Sequence, residues 1–315
     1  MNPAFSVIFL TTLIGAGQGL FLALFGAEVA GYADSAPGAR GFLLMGGGVA
    51  LLLAAGGLVA SFFHLGRPER AWRSASMWRT SWLSREVIAL PVFMGLLFLW
   101  TAGHAAAADW TLPLGVLATL AALALFLCTA MVYASIRFLQ EWASTFTLVN
   151  YTLLGLASGC TLATALAAWG APSLVWAYGA CALACTLAAL VSRSLSLARN
   201  ARLKPRSTVQ TAIGIRHPQI AQRSMGFMGG SFNTREFFHG RGPAFVVSMI
   251  RAFLLLAFAA PLALLLVALV RGGAGTAAVA AAGAFLVQYA GLMLERWVFF
   301  AQAQHPQNLY YQAVS

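Results

Sequence analysis

Eight long apolar runs dominate the chain, each near or beyond the roughly 20 residues that carry a helix across a bilayer. They cover 5–30, 41–63, 86–104, 111–135, 147–169, 174–191, 244–270 and 276–299. None alternates apolar and polar positions with a period of two, so none reads as a barrel strand. A backbone in lipid must satisfy its own hydrogen bonds, and continuous runs do so as helices. The pattern predicts an all-α polytopic integral membrane bundle of eight transmembrane helices, a single membrane domain over 1–315. Gly and Ala are dense in the runs, as in Gly46-Gly47-Gly48 and Ala54-Ala55-Gly56-Gly57, which permits close helix packing. The connections are of two kinds. Those at 32–40, 105–110, 170–173 and 271–275 are short, whereas 64–85 and 192–243 are long and basic.

Composition agrees. Hydrophobic residues make up 60% of the chain and charged residues 9%, against about a quarter charged in soluble domains. A water-soluble globule and a disordered chain are both excluded. The formal net charge is +11, and its placement carries the information. With eight spans, both termini and the connections after spans two, four and six share one side. That side holds Arg67, Arg70, Arg73, Arg79 and Arg85, then Arg137, then the arginines and lysine between 193 and 241, and Arg296. The other side has Arg40 and Arg271. The positive-inside rule makes the basic side cytoplasmic, in a bacterial inner membrane. Met1-Asn2-Pro3 lacks a basic n-region and reads as the approach to a first span, not as a removed signal peptide. Cys128, Cys160, Cys181 and Cys185 lie in apolar runs without a CxxC spacing, and read as small buried side chains.

Ionisable and amide groups inside spans are costly and therefore informative. His64, Glu86, Tyr133, Arg137, Glu295 and Arg296 lie at cytoplasmic span ends, Gln18 near the middle of span one, and Arg251 about 12 Å into span seven at ~1.5 Å per residue. Glu28 and His104 sit toward the opposite interface, where an interfacial reading is the simpler one. On position alone, His64 and Glu86 also fit ordinary interfacial residues, Arg137 and Arg296 fit snorkelling to lipid headgroups, and Gln18 fits a bond between helices. A shared task unites them. Quinone has an apolar body and two carbonyls that take up electrons and protons, so its pocket needs apolar walls, a few donors and a proton route. His64 and Glu86 suit proton transfer, with Gln18, Tyr133 and Arg137 as further candidates. No resident metal is expected. His64 and His104 lie near opposite faces and His217, His239 and His305 lie outside the spans, which argues against a bis-histidine haem. Without haem or an iron–sulfur motif, electrons must reach this chain from another subunit.

The segments FFHLGRPERAW (62–72) and SWLSRE (81–86) resemble the membrane-anchor subunit of dimethyl sulfoxide reductase, the DmsC family. Gln18 in GAGQG, Tyr133 in MVYASI, Trp142, and Arg296 in ERWVFF match more weakly. The resemblance implies a quinone-reactive anchor in a three-subunit molybdopterin oxidoreductase, with a four-cluster iron–sulfur subunit and a molybdopterin catalytic subunit as partners. It places His64 and Glu86 at the quinol site and leaves the quinone as ubiquinone or menaquinone. The long loop, with LKPRSTVQTAIGIRHPQIAQRSMGFMGGSFNTREFF (203–238), is similar to the anchors of cytoplasm-facing sulfite-oxidising relatives, the sulfite dehydrogenase (quinone) type. That version sends electrons from sulfite to quinone; a dimethyl sulfoxide reductase anchor would instead oxidise menaquinol. Either version gives the basic loops a task, docking an acidic partner through Arg67, Arg70, Arg73, Arg216 and Arg235. Nucleic acid is not expected as a partner. A different class, a secondary transporter using Arg251 and Glu295, lacks the repeated halves and broken helices of such folds. A purely structural anchor is the third reading.

Overall fold

The computed structural model describes residues 1–35, 37–221, 239–270, 273–306 and 308. Among these, eight helices are long and apolar enough to cross a membrane, and no strand occurs. They are α1 (Phe5–Val29), α2 (Ala39–Phe62), α3 (Trp82–Ala105), α4 (Thr111–Ala134), α5 (Thr145–Gly170), α6 (Val175–Ala201), α7 (Pro243–Val270) and α8 (Ala274–Ala301). A short helix at Val209–Ile213 interrupts the long loop. Sequential helices pack as neighbours. Helices α1 and α5 hold the centre: α1 touches α2, α4, α5 and α8, and α5 also touches α4, α6 and α8. The Met1 ammonium donates to the Ala303 carbonyl at 2.7 Å, so the start of α1 and the end of α8 share one side. This is the side of the arginine-rich connections, and is called the basic side below.

The centre is built by small residues. In the α1 turn Gly15-Ala16-Gly17-Gln18-Gly19, a Cβ on Gly19 would strike the backbone of Gly155, and one on Gly159 of α5 would strike Gly19 in return. A Cβ on Gly17 would come within 2.9 Å of the Ala50 carbonyl of α2. The two central helices therefore meet backbone to backbone, as small-residue interfaces do in lipid. Gln18, between these glycines, turns to α4 and donates to the Ala122 carbonyl at 2.7 Å.

Toward the opposite side the core is large and apolar, with Phe21, Leu24, Leu43, Phe93, Leu97, Trp100 and Leu125 fully enclosed. Toward the basic side it is aromatic. Tyr133 meets Trp142, Tyr151, Phe299 and Phe300 at centroid distances of 5.3–5.8 Å, and the Trp142 indole donates to the Phe299 carbonyl at 2.9 Å.

Two span ends differ from the sequence reading. The third span was expected from 86 but begins at Trp82, because the Ser81 hydroxyl accepts the Ser84 N–H at 3.4 Å and caps the helix. The sixth was expected to stop at 191 and runs to Ala201. Arg193, assigned to the loop, is thus a helical residue and is buried. Its charge is tolerated there because Glu295 of α8 sits 2.6 Å from its Nε. Helix α7 carries a π-helical turn at Leu255–Ala259. There Gly291 lets α8 approach the Ala257 backbone, and the Gln288 amide donates to the Ala257 carbonyl at 3.4 Å and to the Thr186 hydroxyl at 3.1 Å.

Candidate functional site

A narrow crevice opens among α1, α3, α4, α5 and α8, in the half of the bundle nearer the basic side. Its apolar walls are Leu10, Ile14, Phe126, Leu154 and Leu292. Its polar groups are Thr11, Thr12, Gln18, Glu86, Thr129, Tyr151, Ser158 and Arg296. The cavity volume is about 20 Å³. That holds a water, and a larger guest needs the walls to part.

Local structure explains how Glu86 reaches it. The Ser81 cap starts α3 so that Arg85 and Glu86 diverge. Arg85 stacks over Trp82 at 4.2 Å and donates to the carbonyls of Trp78 (2.9 Å) and Arg79 (2.8 Å), tying down the incoming connection. Glu86 turns inward, where its Oε1 accepts the Thr129 hydroxyl of α4 at 2.6 Å. A carboxylate one turn inside an apolar bundle keeps a single short hydrogen bond and faces the cavity.

Opposite Glu86 the crevice is bounded by charge and ring. The Arg296 guanidinium lies 3.7 Å from the centroid of the Tyr151 ring. Its Nε is 3.2 Å from Glu295 Oε2, and Glu295 Oε1 pairs with Arg193. All three members of this triad are buried. The Tyr151 hydroxyl is buried and makes no hydrogen bond of good geometry among the described residues. The Thr12 and Tyr289 hydroxyls are 3.1 Å apart on the α1–α8 side.

The sequence candidates are thereby divided. Gln18 and Glu86 line one crevice. Tyr133 stands behind it, stacked on Tyr151 at 5.8 Å. His64 follows the end of α2 on the basic side, is exposed, and is not among the crevice walls; its N–H reaches the Ser61 carbonyl at 3.5 Å. Arg137 is exposed beyond the end of α4. Arg67, Arg70, Arg73 and Arg216 are exposed on the basic side, and Arg235 lies outside the described residues. Thr129, Tyr151 and Arg193 were not singled out from the sequence. The first two look like ordinary helix residues until α4 and α5 are packed. Arg193 carried a usable signal, since the apolar spacing of Leu190, Leu195 and Leu197 continues past it.

Two further expectations change. Glu28 and His104, read as interfacial, are buried against each other: His104 Nε2 lies 3.4 Å from Glu28 Oε1, and the Trp100 indole donates to Glu28 Oε2 at 2.6 Å. Arg251, paired with Glu295 in the transporter reading, is exposed on α7 while Glu295 is committed to Arg193 and Arg296. No group of three or more potential metal ligands occurs among the described residues.

A polytopic bundle of eight apolar helices, with a crevice of buried polar groups nearer its arginine-rich side, has the build of a membrane anchor subunit. The family model described as "DMSO reductase anchor subunit (DmsC)" matches residues 1–302. The chain belongs to that family, and is an integral membrane anchor of the molybdoenzyme type. It is also 53% identical, over 329 aligned positions covering 100% of both sequences, to a sulfite dehydrogenase subunit of Allochromatium vinosum.

Proposed function

We propose that this anchor exchanges electrons between an iron–sulfur subunit, docked on its basic side, and membrane quinone, within a three-subunit molybdopterin oxidoreductase. The basic side is then cytoplasmic, the orientation that the arginine distribution favours. Full-length similarity to the sulfite dehydrogenase subunit favours sulfite as the electron source and quinone as the acceptor. The observation that carries the reading is the crevice, where a carboxylate and several donors face one space inside apolar walls.

The donor set fits quinone carbonyls: the Gln18 amide, the Tyr151 hydroxyl and Arg296. The space does not admit a ring with the walls as they stand, so binding includes movement of side chains such as Leu10, Phe126 and Leu292. Bound quinone supplies the capacity to accept electrons and protons. The chain supplies the rest. Glu86 moves a proton at its carboxylate, with Thr129 fixing its orientation. The apolar walls exclude water. His64, on the cytoplasmic rim, exchanges protons with solvent on the way to Glu86; partial desolvation lowers its pKa below the usual imidazole value, which favours the neutral, proton-accepting form.

The test uses the purified complex with sulfite as donor. Glu86→Gln and His64→Ala are each expected to cut quinone reduction by about 10²-fold or more, while sulfite-dependent reduction of an artificial dye is retained. Unchanged quinone kinetics in both variants would remove the site assignment. Turnover with dimethyl sulfoxide and menaquinol, but none with sulfite, would replace this direction with its reverse.

A further inference from the structure

The Arg193–Glu295–Arg296 triad is placed oddly for a device that only stabilises the fold. Two guanidinium groups share one carboxylate, so one positive charge is left without a partner inside the triad. Arg193 is the better paired member, at 2.6 Å, and it is fully enclosed away from the crevice. Arg296 is the member that lines the crevice. Its outer face rests on Tyr151 and, at 5.3 Å, on the Phe299 ring. Beside it the Tyr151 hydroxyl is buried without a hydrogen bond of good geometry. A buried cation with surplus charge and a buried hydroxyl lacking a well-aligned hydrogen bond therefore border the same small space. Burial of such groups is costly unless something answers them. Glu86, the one carboxylate among the crevice walls, bonds to Thr129.

We infer that Arg296, oriented by Glu295 and with Arg193 balancing Glu295 from behind, makes the crevice selective for a ligand oxygen that bears negative charge, with the Tyr151 hydroxyl as the second donor to that oxygen. This rests on the crevice being the quinone site. It adds what that reading leaves open: the end of the ring at which reduced, charged oxygen is held. Arg296 touches the ligand. Glu295 and Arg193 are positioning residues that act through it.

The test compares two probes on the intact complex in nanodiscs, at one neutral pH. One is an alkyl hydroxynaphthoquinone, which is an anion under these conditions; the other is its methyl ether, which cannot ionise. Binding is followed by displacement and by fluorescence quenching, independently of turnover. In Arg296→Gln, Glu295 keeps Arg193, so no carboxylate is stranded and the fold is expected to survive. The anion is expected to bind about 10- to 100-fold more weakly, the loss of a charge-assisted hydrogen bond, and the ether within about twofold of wild type. Arg296→Lys should recover most of the anion's affinity, and Tyr151→Phe should lower it by a smaller factor. Glu295→Gln, which lets Arg296 swing free, should reduce the preference for the anion without abolishing binding of the ether. Equal weakening of both probes in Arg296→Gln would make the residue a packing element and overturn the inference, while leaving the quinone site in place. If Gln18→Leu, Glu86→Gln and Arg296→Gln all leave both probes and quinone turnover untouched, the crevice is not the quinone site, and the underlying reading falls with the inference.

Discussion

Several buried polar residues in this bundle are answered by a group on another helix: Gln18 by the Ala122 carbonyl, Glu86 by Thr129, and Arg193 by Glu295. The pair toward the opposite side is the simplest case. Glu28 of α1 takes the Trp100 indole proton at 2.6 Å and stands 3.4 Å from His104, both on α3. Glu28→Ala strands two buried donors or acceptors, at about 1–3 kcal/mol each. Glu28→Gln keeps an oxygen for the indole and should cost less. Thermal unfolding of the complex in detergent should rank the variants in that order; an Ala variant as stable as wild type would show that the carboxylate holds nothing there. The same logic explains what was legible at single positions. His64, Glu86 and Gln18 stand out because a lone polar group within or at the end of an apolar run is costly. Arg193 did not, because Ser192-Arg193-Ser194 reads as the end of a run. Its compensation, Glu295, is about a hundred positions away, and only the packing of α7 on both α6 and α8, with α5 against both, brings the two charges together. Glu28 and His104 were hidden for the same reason.

Helix composition fixes which elements can be central. An α1 that presents glycine to α5 at Gly15 and Gly19, and to α2 at Gly17, can be enclosed on several faces at once, and that enclosure holds Gln18 at the crevice. Number and order of the spans were readable from apolar run length alone, since lipid leaves the backbone few alternatives. Their ends were less readable, because caps and buried charges decide them: Ser81 moved one boundary, and the Arg193–Glu295 pair another. The apolar pattern also held no hint of the π-helical turn in α7, which packs against a glycine and a glutamine of α8. Glycine contacts give a sharp comparison within one helix. Gly19→Ala places a methyl group against the Gly155 backbone, which cannot retreat as a side chain would, and should cost about 1–3 kcal/mol. Gly26→Ala meets nothing within 4 Å and should be neutral or stabilising by up to about 1 kcal/mol, through helix propensity. Gly19→Ala should therefore lower the melting temperature while Gly26→Ala leaves it unchanged or raises it, and a harmless Gly19→Ala would contradict the close α1–α5 contact.

Taken whole, the molecule is electrically lopsided. Its opposite side is nearly free of basic residues, while its basic side exposes Arg67, Arg70, Arg73 and Arg79 along one connection, interleaved with exposed Trp72 and Trp78. Arg73 and Arg79 stack on these indoles at 5.5 and 5.4 Å. Such a surface suits an acidic protein face, with guanidinium groups meeting carboxylates and aromatic rings supplying contact area. Exposed charges are screened over about 8–10 Å at ordinary ionic strength, so docking through them should weaken as salt rises. Replacing Arg67, Arg70 and Arg73 together by glutamate should prevent co-purification of the partner subunits at salt concentrations where the wild-type complex holds, and should steepen its loss with added salt. Because reversed charge can also reverse a span, each preparation needs a fluorescent reporter fused after the last residue. With reporter fluorescence unchanged, loss of the partners assigns this connection to docking. Retention of the partners through the same salt range as wild type would assign the arginines to topology alone, and would move the docking surface to the long loop, where Arg216 becomes the next residue to reverse.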